Sequence, residues 1–309
     1  MRIRCRALVI ALLGVALLAT GCSSSLAFRA ANPTSGTVIA VGAENEYADV
    51  IQQVGGKYVQ VSAILSNPNT DPHTFEASAS VARLVSSAQL VVQNGVGYDT
   101  FMNTIESAVP SSSRKVVVVQ HLLGLPDSTP NPHLWYQPST MPAVADAIAA
   151  GLSALRPAHA SFFKANAAAF VRSLTAWDQA IAAFKARYPG TPVATTEPVA
   201  DYLLQAAGTD NLTPWALQAD IMNGTDPSAQ DVATQRNLFT EHKVKVFLYN
   251  QQVTDSLTES FISLARANGI PVVGVYETMP TGYHYQSWML AEVRDLRQAV
   301  ADKTSSEHL

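Results

Sequence analysis

Two histidines each stand directly behind a proline, in Asn67-Pro-Asn-Thr-Asp-Pro-His73 and in Asn131-Pro-His133. Pro72 and Pro132 fix their own φ and push Asp71 and Asn131 towards extended conformations, so each imidazole loses little backbone freedom on taking a ligand. Two carboxylates complete the group. Glu197 directly follows the run Pro192 to Thr196, and Glu277 directly follows Ile270 to Tyr276. Two imidazoles and two carboxylates are the donors expected around a borderline first-row divalent ion. Asp71 and Asn131 are placed to hold a ring N–H from behind and so fix the tautomer. His284, in Tyr283-His-Tyr285, lies close to Glu277 in sequence and reads as a polar wall of the same cleft, or as a substitute for that carboxylate. His121, His159, His242 and His308 read as non-ligands, at a strand end, on or beside helices, and in the terminal tail.

These positions take their meaning from the elements that must carry them. From Thr37 the chain alternates β-branched runs with helical ones, giving strands over 38–42, 59–65, 89–94 and 115–120 and helices over 45–54, 77–87 and 99–108. From Met141 to about Arg187 the strand signal stops, and Ala, Leu and Phe recur at helical spacing, broken once at Arg156-Pro157. The second of these helices, over 157–188, would be roughly 45 Å long at 1.5 Å per residue. It reads as a spine between two lobes.

Past Pro189-Gly190 the alternation resumes, with strands over 192–196, 244–249 and 270–276, helices over 198–207, 229–241, 256–268 and 287–303, and a loop-rich stretch over 209–227. The pattern predicts an α/β fold of two lobes, each a mostly parallel sheet flanked by helices, over 37–156 and 189–309. Ligands of open parallel sheets bind beyond the carboxyl ends of the strands. All four donors fall there, two per lobe, which puts the site in the cleft between lobes.

Composition agrees with a well-buried chain. Of 309 residues, 48% are hydrophobic and 14% charged, which argues against disorder. A formal charge of −4 with no block of like charges gives no nucleic-acid surface. Residues 1–21 read as a signal peptide, with Arg2, Arg4 and Arg6 ahead of an apolar run, Ala7 to Leu18, too short to span a bilayer. Leu18-Ala-Thr-Gly-Cys22 resembles the lipobox of bacterial lipoproteins, which are cut before the cysteine and acylated on it, although Ala19 stands where leucine is usual. Cys5 leaves with the peptide, so the mature chain has no disulfide. The loss of three arginines and no acids takes the formal charge from −4 to −7. The Ser/Ala/Pro/Gly-rich segment 22–36 reads as a tether, and no later segment is apolar enough to cross a membrane.

Asp71-Pro-His73-Thr-Phe-Glu76, Asn131-Pro-His133-Leu-Trp135 and Asn94-Gly95 with Asp99 resemble the signatures of the metal-binding lipoproteins of bacterial zinc/manganese ABC importers. The resemblance runs over nearly all of the mature chain. It implies two α/β lobes joined by one long rigid helix, with a metal ion carried as cargo between them and no enzymatic activity. It further implies an extracytoplasmic monomer, lipid-anchored to the bacterial cell membrane through Cys22, with an ABC permease as partner. His73 and His133 match the family's two N-lobe histidines. Glu197 matches the third ligand, which is histidine in the zinc-specific branch and glutamate in the manganese branch. Glu277 stands where the family usually has aspartate.

Zinc outcompetes manganese at almost any such site by intrinsic affinity, so selection must come from geometry and availability. Two carboxylates, each able to bind through both oxygens, favour a coordination number above zinc's usual four. His121 to Pro130 also lacks the histidine-rich tract that the zinc branch often carries. Both points favour manganese, with zinc close behind and ferrous iron as a third cargo. Two other classes stay open on the residues alone. A metal-dependent hydrolase would need an open position for water and a base such as Glu76. A binding protein for a siderophore or cobalamin chelate would need no direct protein ligand.

Overall fold

The structure, a computed structural model, describes residues 36–69 and 71–309. The signal peptide, the lipid site at Cys22 and the tether up to residue 35 lie outside the described residues. β1 (Val38–Glu44) runs straight into α1 (Asn45–Gly55). Tyr47, Val50, Ile51 and Val54 recur at helical spacing on α1 and are buried, while Asn45, Asp49 and Gln53 share another face. β2 (Val59–Leu65), α2 (Ala79–Ser87), β3 (Leu90–Gln93), α3 (Thr100–Ala108), β4 (Lys115–Val118), the short α4 (Val119–Leu122) and α5 (Thr140–Leu155) complete the first lobe. Its strands lie in the order β2-β1-β3-β4, every pair parallel.

The helix expected over 157–188 is present in two segments, α6 (Ala160–Ser173) and α7 (Thr175–Arg187), after a 3₁₀ turn at Pro157–His159. The interruption is one residue, Leu174, which keeps right-handed helical angles (φ −76°, ψ −13°). Its cause is local. The hydroxyls of Ser173 and Thr175 donate to the carbonyls of Phe170 and Arg172, three residues back, at 2.6 and 2.8 Å. Such back-bonding competes with the i→i−4 ladder and bends a helix.

The second lobe repeats the first. β5 (Pro192–Thr195), α8 (Asp201–Ala206), β6 (Asp210–Asn211), α9 (Trp215–Met222), α10 (Ala229–Thr240), β7 (Val246–Asn250), α11 (Ser256–Ala267), β8 (Val272–Val275) and α12 (Tyr285–Asp302) follow in order. Its sheet order is β6-β5-β7-β8, again parallel throughout. In each sheet the direction of winding reverses between the first and third strands, and ligands of such sheets bind at the strand ends beside that reversal. Two local expectations change. The run 115–120 leaves the strand at Val118 and becomes α4, and 209–227 holds β6 and α9 rather than loop alone. A two-residue strand is too short to show a period of two.

The lobes are not separate bodies. One apolar cluster takes in Val38, Tyr47 and Ile51 of the first lobe, Phe163, Phe170 and Trp177 of α6 and α7, and Val193, Val273, Trp288 and Leu296 of the second. At the base of the first lobe, Gly42 of β1 lets α1 approach closely. A Cβ there would lie 2.5 Å from the backbone nitrogen of Ala48 and 2.7 Å from the carbonyl oxygen of Glu44. Backbone cannot yield as a side-chain tip can. We therefore expect Gly42→Ala to destabilise the protein by about 1–3 kcal/mol, read as a lowered midpoint in urea with an unchanged slope.

Candidate metal centre

His73 lies in a 3₁₀ turn, Pro72–Thr74, beyond the end of β2. The Asp71 carboxylate accepts the backbone N–H of His73 at 2.8 Å and so caps the turn. That corrects the expectation that Asp71 would hold the ring: the aspartate serves the backbone. Asn131 does hold a ring. Its Oδ1 lies 3.0 Å from the backbone nitrogen of His133 and 2.8 Å from Nδ1 of the same residue, while its Nδ2 donates to the carbonyl of Pro198 at 2.7 Å. The Pro198 carbonyl, which can only accept, and the His133 N–H, which can only donate, fix which way the amide faces. Nδ1 of His133 must then carry the proton, and Nε2 presents a lone pair.

Glu277 is where the two rings meet. Its Oε2 lies 3.1 Å from Nε2 of His73 and 3.2 Å from Nε2 of His133, and these three ligand atoms fall within 4.8 Å of one another. The hydroxyl of Tyr98 donates to the same oxygen at 3.0 Å, and Nδ2 of Asn250 donates to Oε1 at 2.5 Å. Gln252 Oε1 accepts the backbone N–H of Glu277 and of Thr278, both at 2.8 Å. His133 and Glu277 are buried, whereas the His73 side chain keeps 24% of its surface exposed and forms the wet edge of the site.

Glu197, the fourth expected donor, stands beside this group and outside it. Its Oε1 accepts from the same Asn250 amide at 3.2 Å, and its Oε2 is buried with no hydrogen-bond partner among the described residues. Asn250 thus bridges the two carboxylates.

The electrostatics divide the group. Burial pushes the Glu277 carboxyl up, but the hydrogen bonds and charges of His133 and His73 outweigh it and hold the group below the usual carboxylate range. Burial, and then the charge of Glu277, push Glu197 well above that range. Burial lowers His133 despite Glu277, while at the more exposed His73 the bond to Glu277 and its charge overcome burial and raise the ring. Asn131 thus turns Nε2 of His133 towards the Glu277 carboxylate at 3.2 Å, where burial opposes a charge on the ring and Glu277 favours one.

Other expected residues lie elsewhere. His284 is turned away from the site, with its Nδ1 2.7 Å from Asp49 Oδ1, because the N-terminus of α12 docks on α1; it neither replaces Glu277 nor supports it. Glu76 is exposed and His159 stacks on Tyr58 with ring centroids 3.9 Å apart. His121, His242 and His308 are exposed and join no ligand group among the described residues.

Tyr98, Asn250 and Gln252 were not singled out by sequence. Asn250 closes β7 and falls under the same strand-end rule that picked out Glu197. Tyr98 sits in a loop closed by Asp99, whose carboxylate accepts the backbone N–H groups of Asn94 and Gly95 at 2.7 and 2.9 Å, and burial pushes Asp99 up to about 6.

Two mirrored α/β lobes with histidine and carboxylate donors meeting between them define a two-lobed metal-binding protein. The solved periplasmic zinc-binding protein TroA from Treponema pallidum has this fold, with a TM-score of 0.71 at 19% identity over 87% of this chain and all of that one. The chain belongs to the family described as zinc-uptake complex component A, periplasmic, whose sequence profile matches residues 41–299. It is 22% identical to the manganese-binding lipoprotein MntA of Bacillus subtilis (strain 168), over 85% of this chain and 86% of that protein. It is 24% identical to the iron-binding protein YfeA of Yersinia pestis, over 67% of each.

Behind the site, the hydroxyl of Tyr136 donates to the carbonyl of Tyr276 at 2.8 Å and lies 3.3 Å from Glu292 Oε1, which also accepts from Trp288 Nε1 at 2.9 Å. Burial pushes Glu292 from its ordinary 4.5 up to about 8. With a folded-state value raised above the unfolded one, its contribution to stability is full below 4.5 and is lost as pH rises through about 8. Glu292→Gln should therefore flatten the decline in stability of the metal-free protein across that window, by on the order of 1–3 kcal/mol at the alkaline end. Chemical denaturation at a series of pH values measures it.

Proposed function

We propose that this protein captures a divalent transition-metal ion outside the cytoplasm and delivers it to an ABC permease, without doing chemistry on it. The observation that carries the reading is the meeting of His73 Nε2 and His133 Nε2 on one oxygen of Glu277, with the His133 tautomer set from behind by Asn131. Glu197 is the proposed fourth ligand. Its buried, unbonded Oε2 has most to gain from a cation, and a small movement towards Glu277 brings a second carboxylate to the ion. Two imidazoles and two carboxylates suit manganese, zinc and ferrous iron, and the relatives that bind manganese, zinc and iron accord with that donor set. Carboxylates able to bind through both oxygens favour manganese.

A carrier fits better than a hydrolase. Glu76 is exposed, and four protein donors leave no open position for an activated water. The chain is further read as a monomer tethered through lipid on Cys22. In support, no helix among the described residues is long and apolar enough to cross a membrane, and MntA is itself described as a lipoprotein.

Calorimetry with Mn²⁺ and Zn²⁺ tests the reading. His133→Ala should weaken both ions by more than about 100-fold, since even the partners behind a ligand are worth 10–100-fold. A chelate-binding protein would keep its affinity in that variant. Protons compete for the same nitrogens, and His73 is held above its ordinary value. Affinity should therefore rise with pH until His73 and Glu197, both held above their ordinary values, have lost their protons, by about tenfold per pH unit for each proton displaced. An affinity unchanged between neutral and mildly acid solution overturns the assignment of the histidines.

A further inference from the structure

Glu277 comes from one lobe and both histidines from the other, so something must hold the lobes in register at that point. The backbone on either side of Glu277 is gripped by side chains of the opposite lobe. On one side, Tyr136 takes the carbonyl of Tyr276. On the other, the Asn45 amide takes both polar groups of Met279, its Nδ2 donating to the Met279 carbonyl at 2.8 Å and its Oδ1 accepting the Met279 N–H at 2.9 Å. One side chain thereby pairs with a peptide as a neighbouring strand would. Asn45 is the first residue of α1, directly after β1, and Met279 lies two residues past Glu277. Between them, Thr278 and Glu277 are tied to Gln252 of their own lobe.

The contact continues along one face of α1. Asp49, one turn on, pairs with His284 Nδ1 and accepts the Tyr285 backbone N–H at 2.9 Å. Gln53, a further turn on, exchanges 3.0 Å bonds with Gln286. This seam is polar and wholly made of hydrogen bonds, each worth little net in water and each breakable by it. Asn45 differs from the other two because it acts on the backbone two residues from Glu277.

We infer that Asn45 is a positioning residue that clasps the Met279 peptide from across the cleft, holds Glu277 against the two imidazoles, and slows the departure of a bound metal. The inference rests on the metal-binding reading above. Asn45 itself touches no metal. When the lobes part, its two bonds must break before Glu277 can draw back with the ion. Its effect therefore falls on release rather than on capture.

The test is stopped-flow release of Mn²⁺ or Zn²⁺ from the full-length protein into excess chelator, beside the association rate measured directly. Asn45→Ala should release the ion roughly tenfold faster with association changed less than about twofold. The visible spectrum of the Co²⁺-loaded variant should change in intensity, since Glu277 is held less firmly. Asn45→Asp, which keeps the acceptor for the Met279 N–H and loses the donor, should also release faster and guards against a poorly folded alanine variant. Gln53→Ala loosens the same seam two turns away and should release at the wild-type rate. Release from Asn45→Ala or Asn45→Asp no faster than wild type overturns the inference, as does an equal acceleration in Gln53→Ala, which would make any loosening of the seam sufficient. A wild-type protein that takes up neither ion overturns the metal reading and this inference with it.

Discussion

A buried carboxylate oxygen facing the Nε2 atoms of two imidazoles at 3.1 and 3.2 Å is the contact around which the site is arranged. The orientation of one amide, Asn131, fixes the His133 side of it, because its nitrogen is committed to the Pro198 carbonyl and its oxygen to His133. Glu277 tolerates burial because hydrogen bonds from Tyr98 and Asn250 and the nearby rings favour its ionised form. Glu197 has no such support beyond Asn250, and burial keeps it protonated more readily. The two neighbouring carboxyls are thus pushed in opposite directions, Glu277 below and Glu197 above the ordinary range.

The scaffold exists to bring those groups together from distant parts of the chain. Parallel sheets with the same strand order in both lobes put every donor at a strand's carboxyl end, where loops converge. A continuous apolar core through α6, α7 and α12 then limits how far the lobes can part. The same core keeps the donors of the two lobes beside one another.

Much of this was legible in the residues. Alternating β-branched runs and helical periods located the sheets to within a few residues, and the Pro-His motifs with the strand-end rule picked out His73, His133 and Glu277, whose ligand atoms lie within 4.8 Å of one another, along with Glu197, which stands outside that group. What sequence could not show was the partner on the far side of the cleft. Asp71 and Asn131 occupy the same place in two similar motifs and each accepts the backbone N–H of its histidine, yet only Asn131 also meets the ring. His284 is near Glu277 in sequence but is drawn off by Asp49, 235 residues away in the chain. Tyr98 and Asn250 matter only through contacts that folding creates, and β6 is too short to leave any periodic trace. The interruption at Leu174 lies beside the back-bonding hydroxyls of Ser173 and Thr175, but hydroxyls are common on unbroken helices and gave no warning there.

The shared core carries a consequence for heredity. Two halves built on one strand order look interchangeable, as if recombination could trade a lobe between relatives and thereby trade ion preference. Trp177 and Trp288 say otherwise, since each is wholly buried in apolar packing drawn from both halves. A lobe exchanged at the spine would therefore have to match the close-packed surface of the half it joins.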